Sequence, residues 1–351
     1  MTADLHLPTP PILNLMLGKK RGGLEQAALD YAEALAHAGI RALTVISPGA
    51  WVEAPLVAAR VTHESLPNHA RWDMLAVWRL RRLAKRTGAR AIICHGNRAL
   101  TLALIALKGR IPVIAVTHNY ATRRCARADA CFAITTHLAE HLRAAGVTAI
   151  TAMPNMVRPH TPAPRPPFRH PPVIGSMGRF VMKKGFDTYL HALAIVKAQG
   201  VAFRAILGGE GERADALSAY IEHYSLESHV ELRGWVKDKN AFFEEIDLFV
   251  LPSLHEPFGI VLLEAMTHGV PVITSDAEGP REIVRHGVDA IVTPRGDAQA
   301  LAEAIITMLD DEAQARALAE AAQQHVAQHY SLAAMATRLQ TALAPYITPH
   351  E

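Results

Sequence analysis

Residues 252–273 read PSLHEPFGIVLLEAMTHGVPVI. The order of residue types predicts the end of a strand, a loop, a helix and a second strand. Pro257 suits the first turn of that helix, and Gly269 suits the cap at its C-terminal end. Because a strand–helix–strand unit joins parallel strands, this stretch predicts an α/β fold built on a parallel sheet.

The same alternation of short apolar runs and helix-like segments extends on both sides of this stretch. Such alternation predicts a parallel sheet with crossover helices in each half of the chain. In the first half the predicted strands are Ile12 to Leu17, Ala42 to Ile46, Ala91 to Cys94, Val113 to Val116 and Cys131 to Ile134. In the second half they are Val173 to Met177, Ala205 to Leu207, Leu248 to Leu251, Val270 to Thr274 and Ala290 to Val292.

Length and proline content predict the domain organisation. A chain of 351 residues is longer than one ordinary core supports, so we expect about two domains. Seven prolines between residues 158 and 172 are incompatible with a helix or an interior strand and indicate a linker. We predict a first domain over residues 1–157, a linker over 158–172 and a second domain over 173–330. A last helix over 331–351 is expected to pack back on the first domain.

Composition excludes several classes of protein. With 50% apolar and 20% charged residues, the chain is neither disordered nor collagen-like. Cys94, Cys125 and Cys131 form no Cys-x-x-Cys pair and are expected to be reduced thiols. The N-terminus has no signal-peptide pattern, and the longest apolar stretch is about half of a membrane-spanning helix. We therefore expect a cytoplasmic protein without a spanning helix.

The quoted stretch also contains a candidate binding site for an anion. The backbone amides near Phe258, Gly259 and Ile260 lie at the predicted N-terminus of a helix, where free N–H groups and the helix dipole favour negative charge. Glu256 lies just before this point, and Glu264 lies two predicted turns into an otherwise apolar helix. A buried carboxylate needs a partner, and a pair of sugar hydroxyls would suit Glu264.

Glu256 and Glu264, with seven residues between them, resemble the signature of the family-4 retaining glycosyltransferases, which have the GT-B fold. The resemblance implies two Rossmann-like domains that face each other across a cleft. It further implies that Arg179 and Lys184, in GRFVMKKG at 178–185, hold the diphosphate of a nucleotide-sugar donor. On this resemblance Glu264 holds the ribose and Glu256 contacts the sugar.

Further segments resemble the same family in the same order. Gly209 and Glu210 belong to a stretch that resembles its glycine-rich loop, and Val236 belongs to one that resembles the loop at the base. In the first half, Gly22 and Gly23 resemble its N-terminal Gly-Gly loop. His118 resembles a histidine of the family that contacts the transferred sugar. It lies at the end of a predicted strand, and the carboxyl ends of parallel strands are where such folds bind ligands, which also favours a role in a binding site. Two positions depart from the pattern, with Met156 and Pro280 where the family has glycine.

The implied reaction is the transfer of a sugar, with retention, from a UDP- or GDP-sugar to a glycan or lipid-linked acceptor in envelope polysaccharide or lipopolysaccharide synthesis. Fixed cations and helix-end amides would stabilise the leaving diphosphate. The sequence contains no Asp-x-Asp pair that would bridge a metal to the diphosphate, so we expect neither a metal nor another cofactor. His-x-x-Glu-His at 137–141 matches a zinc-site pattern, but a solvated helix face explains it better.

Two other functions stay open at this point. A nucleotide-sugar epimerase of the same fold would bind the donor without an acceptor, and a catalytically silent subunit would bind nucleotide without turnover. Residues 71–90 interleave apolar side chains with seven cations and one acid, Asp73. This segment is either a packed helix with a solvated basic side or a contact for an anionic membrane surface. Nucleic-acid binding is disfavoured because no aromatic stacking platform accompanies the charge.

Overall fold

The computed structural model describes residues 10–20, 22–69, 73–158, 160 and 165–347. The chain divides into two compact units. The first unit comprises Met1–Met156 and Leu332–Glu351, and the second comprises Val157–Ser331. Each unit is built on one parallel sheet with helices, which confirms the predicted α/β architecture.

The first unit contains a seven-stranded parallel sheet in the order β3-β2-β1-β4-β5-β6-β7. The central strands are buried along their whole length, as expected for a sheet covered on both faces. All five predicted strands of this half are present, with ends that shift by a residue or two. The strands are β1 (Ile12–Met16), β2 (Ala42–Ile46), β3 (His63–Ser65), β4 (Ala91–His95), β5 (Val113–Thr117), β6 (Ala130–Ala133) and β7 (Ile150–Ala152).

The helices of the first unit connect these strands. Helix α3 begins at an N-cap, Asp73, whose carboxylate accepts a hydrogen bond from the Ala76 amide at 2.9 Å. The helix ends at Gly88, which has a positive φ of 64°. The helices are α1 (Gly23–His37), α2 (Glu53–Ala58), α3 (Met74–Thr87), α4 (Gly96–Leu107) and α5 (Thr136–Ala144).

The second unit contains a six-stranded parallel sheet in the order β10-β9-β8-β11-β12-β13. Its strands include the five predicted for this half and one further strand, β10. Partial exposure and an interruption of register near its end explain why the apolar pattern of β10 is weak. The strands are β8 (Val173–Met177), β9 (Arg204–Gly208), β10 (Val230–Gly234), β11 (Leu248–Leu251), β12 (Val272–Ser275) and β13 (Ile291–Thr293).

The helices of the second unit include the one predicted from the quoted stretch, but its start was predicted wrongly. It begins at Ile260 rather than Pro257, because Gly259 has a φ of 99° that does not continue a helix. Glu264 therefore lies a little over one turn into the helix rather than two. The helices are α6 (Phe186–Ala198), α7 (Ala214–His223), α8 (Lys239–Glu245), α9 (Ile260–Thr267), α10 (Pro280–Ile283), α11 (Ala298–Asp310) and α12 (Glu312–His329).

The proline-rich segment is only partly a linker. Pro159 and residues 161–164 lie outside the described residues, but residues 165–172 pack within the second unit. The Arg165 guanidinium donates to the carbonyl oxygens of Phe243 at 3.0 Å and His268 at 3.3 Å, and Arg169 pairs with Asp247 at 2.7 Å. Such contacts fix the backbone although its prolines cannot join a sheet.

The last helix, α13 (Leu332–Ile347), belongs to the first unit. It packs against α1, with Leu339 and Leu343 fully buried. Gln340 donates a hydrogen bond to the carbonyl oxygen of Ala38 at 2.8 Å. Met156, where a glycine was expected, is buried in the same core and is not among the residues with a positive φ. The strain expected at this position is therefore absent.

No helix in the described ranges has both the length and the apolar character needed to cross a membrane.

Candidate functional site

Three loops at the carboxyl edge of the second sheet are joined through their backbones. The Gly178 amide donates to the Gly208 carbonyl at 2.9 Å, and the Phe180 amide donates to the Glu210 carbonyl at 2.8 Å. The Gly209 amide donates to the Gly234 carbonyl at 2.7 Å. The loops after β8, β9 and β10 thus form one surface, at the edge where parallel α/β sheets bind ligands.

Two glycines are required where these loops approach other backbone. Gly209 has a φ of 146°, and a Cβ atom there would lie 1.9 Å from the Gly178 carbonyl oxygen. Gly185 has a φ of 66°, and a Cβ atom there would lie 2.1 Å from the carbonyl oxygen of Pro252. Neither position tolerates a side chain without movement of the backbone. The predicted glycine-rich segments therefore bring the loops into direct contact.

Lys184 and Glu256, both predicted site residues, form an ion pair. Their side chains are 15% and 12% exposed. The backbones of the two loops meet as well, because the Lys183 carbonyl accepts from the amides of Leu254 at 2.9 Å and His255 at 3.1 Å. The structure therefore brings together two groups that lie 72 residues apart in the sequence.

Glu278 and Arg295, which sequence reasoning missed, hold the loop of Glu256 in place. Glu278 accepts hydrogen bonds from the Glu256 amide at 3.3 Å and from Arg295 at 2.7 Å. Burial alone would raise the pKa of Glu278, but hydrogen bonds from Arg295, from backbone and from His255 lower it to about 2. Glu278 is therefore ionised at neutral pH. No local pattern links it to Glu256, so only the fold shows this contact.

The predicted anion site lies at the start of α9. The amides of Phe258, Gly259 and Ile260 have no hydrogen-bond acceptor within the described residues. A hydrogen bond from the Gly279 amide to the Glu256 carbonyl, at 2.8 Å, holds this loop in place. A Cβ atom at Gly279 would lie 2.4 Å from the Phe258 Cα. Only glycine therefore fits at position 279, although Pro280 replaces the glycine that the family pattern has next to it. Three N–H groups consequently stay available to an anion.

Arg179 is the second residue after β8, and it is exposed. It makes no hydrogen bond or ion pair with the part of the chain that the structure describes. The positive charge of Arg179 is thus not neutralised by a carboxylate, in contrast to that of Lys184.

Glu264 has a protein partner that the sequence did not reveal. The Lys239 ammonium donates to both carboxylate oxygens, at 2.6 and 2.7 Å. Lys239 is the first residue of α8, after the N-cap Asp238. The expectation that the carboxylate needs a partner was sound, but that partner is a lysine 25 residues away rather than sugar hydroxyls alone.

Glu210 and Val236 lie where two of the joined loops meet. The Glu210 carboxylate accepts a hydrogen bond from the Trp235 amide at 3.3 Å. The Val236 side chain lies beside Gly208: a Cβ atom added at Gly208 would be 2.4 Å from a Val236 methyl carbon. Nine of the predicted donor-side residues therefore surround one edge of the second sheet: Arg179, Lys184, Gly209, Glu210, Val236, Glu256, Phe258, Gly259 and Ile260. Glu264 follows on α9.

The remaining predicted residues, Gly22, Gly23 and His118, lie in the first unit. Gly22 is the N-cap of α1, with an extended φ of −169°. A side chain at Gly23 would meet no described atom within 4 Å, so neighbouring protein atoms do not impose glycine there. This leaves the space beside Gly23 open to a ligand.

His118 follows β5 and is half-buried, while its Nε2 atom is fully buried without a hydrogen-bond partner in the described chain. Burial lowers the pKa of His118 to about 4, so the ring is neutral at pH 7. Its neighbour His95 lies 6.1 Å away between ring centroids and hydrogen-bonds to Asn14 Oδ1 at 2.8 Å through Nε2. His118 is available as a neutral hydrogen-bonding group rather than a cation.

Among the described residues no group of three or more His, Cys, Asp or Glu side chains could hold a metal ion. His137 and His141 of the zinc-like pattern both lie next to the ring of Tyr120.

Two parallel-sheet units and a loop surface rich in amides and cations define a nucleotide-binding type of α/β protein. The comparisons with known proteins agree and go further. The family model of the glycosyl transferases group 1 matches residues 158–325, and that of glycosyltransferase family 4 matches residues 21–161. The chain belongs to the family-4 glycosyltransferases with the GT-B fold and is a glycosyltransferase.

Individual relatives point to the same family. The lipopolysaccharide core biosynthesis glycosyltransferase LpsE of Rhizobium meliloti is 29% identical over 316 residues, which cover 86% of this chain and 89% of that protein. The amylovoran biosynthesis glycosyltransferase AmsK of Erwinia amylovora is 35% identical over 153 residues, covering 41% of this chain and 38% of that protein. Both of these relatives are glycosyltransferases, one of lipopolysaccharide core synthesis and one of amylovoran synthesis.

Solved structures show the same fold. Alr3699/HepE of Anabaena, determined in complex with UDP, has a TM-score of 0.80 and 24% identity, covering 95% of this chain and 100% of that one. The apo form of the lipopolysaccharide outer core galactosyltransferase WaaB has a TM-score of 0.77 and 17% identity, covering 95% and 99%.

Proposed function

We propose that this glycosyltransferase moves a sugar, with retention at the anomeric carbon, from a nucleotide-diphosphate sugar to a glycan or lipid-linked acceptor in envelope polysaccharide or lipopolysaccharide synthesis. The observation that carries the proposal is the placement of Arg179, the Lys184–Glu256 pair and the free amides of residues 258–260 in loops that follow strands of the second sheet. LpsE acts in lipopolysaccharide core biosynthesis, and the Anabaena structure was also determined with UDP-glucose, which supports this substrate class.

The donor diphosphate binds to Arg179, Lys184 and the amides at the start of α9. The leaving nucleoside diphosphate gathers negative charge as the bond to the sugar breaks, and fixed cations stabilise that charge. These groups need no metal ion to do so, and we propose that the reaction proceeds without one. Glu256, held by Lys184 and by the loop of Glu278, contacts the sugar.

The nucleoside binds along the loops after β9 and β10. Glu264 accepts hydrogen bonds from the ribose hydroxyls, with Lys239 holding its carboxylate in a single orientation. Val236 and the Trp235 backbone lie at the base, beside Gly209 and Glu210. The acceptor binds in the first unit, at His118 and the Gly22-Gly23 loop.

Helix α3 suggests how the enzyme meets an acceptor held in a membrane. Its first turns expose Met74, Leu75 and Trp78, which are 65%, 52% and 53% exposed. Beyond them lie the cations Arg82 and Lys85, with Arg82 above the Trp78 ring at 5.5 Å. Arg71 and Trp72 of the predicted basic segment lie outside the described residues. We propose that this end of α3 contacts an anionic membrane surface, because exposed apolar residues and cations fit its interface.

A ligand screen by thermal shift tests the proposed function. UDP, GDP, ADP and their common sugars are added with and without EDTA, because a ligand that binds the native state raises the melting temperature. We expect stabilisation by the ligands of one base, unchanged by EDTA. Stabilisation by none of them would contradict the donor site. Release of free epimerised nucleotide sugar would favour an epimerase, and binding without turnover in the presence of acceptor would favour a silent subunit.

A further inference from the structure

A pocket of about 830 Å³ lies in the first unit, at the carboxyl end of β5. It is formed by the loop that follows His118 and by the start of α4. Its lining includes Asn97, Tyr120, Thr122, Arg123, Arg124 and Arg127. The volume is that of a site for a small molecule or for part of a larger one.

Three of these lining residues are arginines without a counter-charge. Within the described residues, Arg123, Arg124 and Arg127 form no ion pair and donate no side-chain hydrogen bond. The nearest carboxylate along the chain, Asp129, accepts from the Val113 amide at 2.8 Å and lies 4.0 Å from the Lys108 ammonium. The pocket therefore carries a local excess of positive charge.

Several arginines of the second unit differ from the three pocket arginines because they pair with carboxylates. Six arginines of the second unit each pair with at least one carboxylate: Arg169, Arg213, Arg233, Arg285, Arg295 and Arg316. Their charges are thereby satisfied within the protein. The three pocket arginines instead present their guanidinium groups to whatever enters the pocket.

The backbone that carries the arginines is fixed by local hydrogen bonds. The Ala121 amide donates to the Asn119 side chain at 2.9 Å, and the Cys125 amide donates to the Thr122 carbonyl at 2.8 Å. Cys125 is buried and begins a 3₁₀ turn, Cys125–Arg127, that directly follows Arg124 and ends at Arg127. The three guanidinium groups thus start from a preorganised loop, which lowers the entropy cost of binding an anion.

The position of the pocket assigns it to the acceptor. Tyr120 is two residues after His118, and Asn97 is two residues after His95, the ring next to His118. A group in this pocket therefore lies close in the chain to His118, which we place on the acceptor side. The donor diphosphate, in contrast, is bound by residues of the second unit.

We propose that this pocket binds a phosphate or diphosphate group of the acceptor, an assignment that rests on the proposed transfer function. Arginine matches phosphate oxygens with paired N–H donors. Three adjacent guanidinium groups suit a group with more than one negative charge better than a single carboxylate. The acceptor is then a phosphorylated glycan or a lipid-linked phosphate rather than a neutral sugar.

The test is a calorimetric titration of the full chain with inorganic pyrophosphate. The donor site is first saturated with the nucleoside diphosphate that stabilises the protein most in the thermal screen. The pocket variant is Arg123→Gln/Arg124→Gln/Arg127→Gln. The matched control is Arg60→Gln/Arg86→Gln/Arg110→Gln, which removes the same charge from exposed residues of the same unit outside the pocket.

We expect pyrophosphate to bind the pocket variant at least about tenfold more weakly than the wild type, with the control variant unchanged. Equal affinity of the pocket variant and the wild type would overturn the proposal. Citrate that binds as tightly as pyrophosphate would overturn the phosphate assignment in favour of carboxylates. If no nucleoside diphosphate binds, the proposed donor function fails. The titration of the two variants with pyrophosphate then still shows whether the pocket binds phosphate groups.

Discussion

Two lysines each hold one of the two signature carboxylates, and these pairs define the site at the scale of single residues. Lys184 pairs with Glu256, and Lys239 pairs with Glu264. If Lys184 binds the donor diphosphate as proposed, the diphosphate shares the ammonium with Glu256, which links donor binding to the position of Glu256. Lys239 leaves the outer lone pairs of Glu264 open to ribose hydroxyls, because a carboxylate accepts about four hydrogen bonds.

Replacement of Glu264 tests its role with the ribose. We expect Glu264→Gln to weaken binding of the nucleoside diphosphate by roughly tenfold, because hydrogen bonds to a charged acceptor are lost. Titration calorimetry measures the affinity. Glu222→Gln, at an exposed position of the same unit, is the matched control and should leave the affinity unchanged. Wild-type affinity in Glu264→Gln would remove this residue from the binding site.

The buried ring of His118 predicts a dependence of stability on pH. Its pKa of about 4 lies below the ordinary value of 6.5, so between these pH values the unfolded state binds more protons than the native state. This contribution to stability is present above pH 6.5 and is lost as the pH falls towards 4. We expect the melting temperature to fall less steeply over this range in His118→Gln than in the wild type. Parallel pH profiles would show that His118 titrates normally.

The strands and helices that could be predicted from sequence are those with a complete apolar pattern. Strand β4 was recognised from AIIC at residues 91–94, whereas β3 and β7 are three residues long, partly exposed and were missed. Helix α9 was recognised, but its start was not, because Pro257 favours a helix while the φ of Gly259 excludes one there. The Glu278–Arg295 support was also missed, since contacts between loops leave no periodic signal.

The contact between the loops after β8 and β9 depends on Gly209. We expect Gly209→Ala to lower the free energy of unfolding by about 3 kcal/mol or more, because a Cβ atom would clash with the Gly178 carbonyl in addition to the strain at positive φ. Gly200→Ala is the control, since Gly200 has a φ of 77° but no atom within 4 Å of a Cβ. Its cost should be that of the strain alone, about 1 kcal/mol. Urea titration measures both; equal costs would contradict the close approach.

The exposed end of α3 predicts binding to lipid. We expect Leu75→Ser/Trp78→Ser to lose most of its co-sedimentation with vesicles of phosphatidylglycerol, while its melting temperature stays close to that of the wild type because both side chains are exposed. Val57→Ser is the control, because Val57 is 61% exposed in the same unit but lies outside α3. Equal sedimentation of all three proteins would contradict membrane contact through this helix.

At the scale of the whole molecule, the chain forms two units that do not follow the sequence in order. Helix α13 returns to the first unit after the second is complete. The proline-rich segment marked the approximate boundary, but its described part belongs to the second unit through Arg165, Phe168 and Arg169. Composition could reveal where a helix cannot form but not the contacts of this extended segment.

The family could be inferred from motifs of the second unit, because Arg179 and Lys184 lie in one recognisable segment and Glu256 and Glu264 in another. The partners of these residues could not be inferred from sequence. Lys239 and Glu278 lie far from Glu264 and Glu256 in the chain and meet them only because the second sheet brings their loops together. The acceptor side has even less sequence signal, since its arginine-lined pocket is visible only once the loop after β5 is folded.

The central claim is that Lys184 binds the donor diphosphate, and its neighbour Lys183 offers a matched control. Lys183 is exposed and its side chain makes no hydrogen bond or ion pair in the described residues, whereas Lys184 pairs with Glu256. The measurement is a calorimetric titration of the wild type, Lys184→Gln and Lys183→Gln with the nucleoside diphosphate. The account predicts an affinity at least about tenfold lower for Lys184→Gln and unchanged for Lys183→Gln. Equal affinities of the two variants would contradict it.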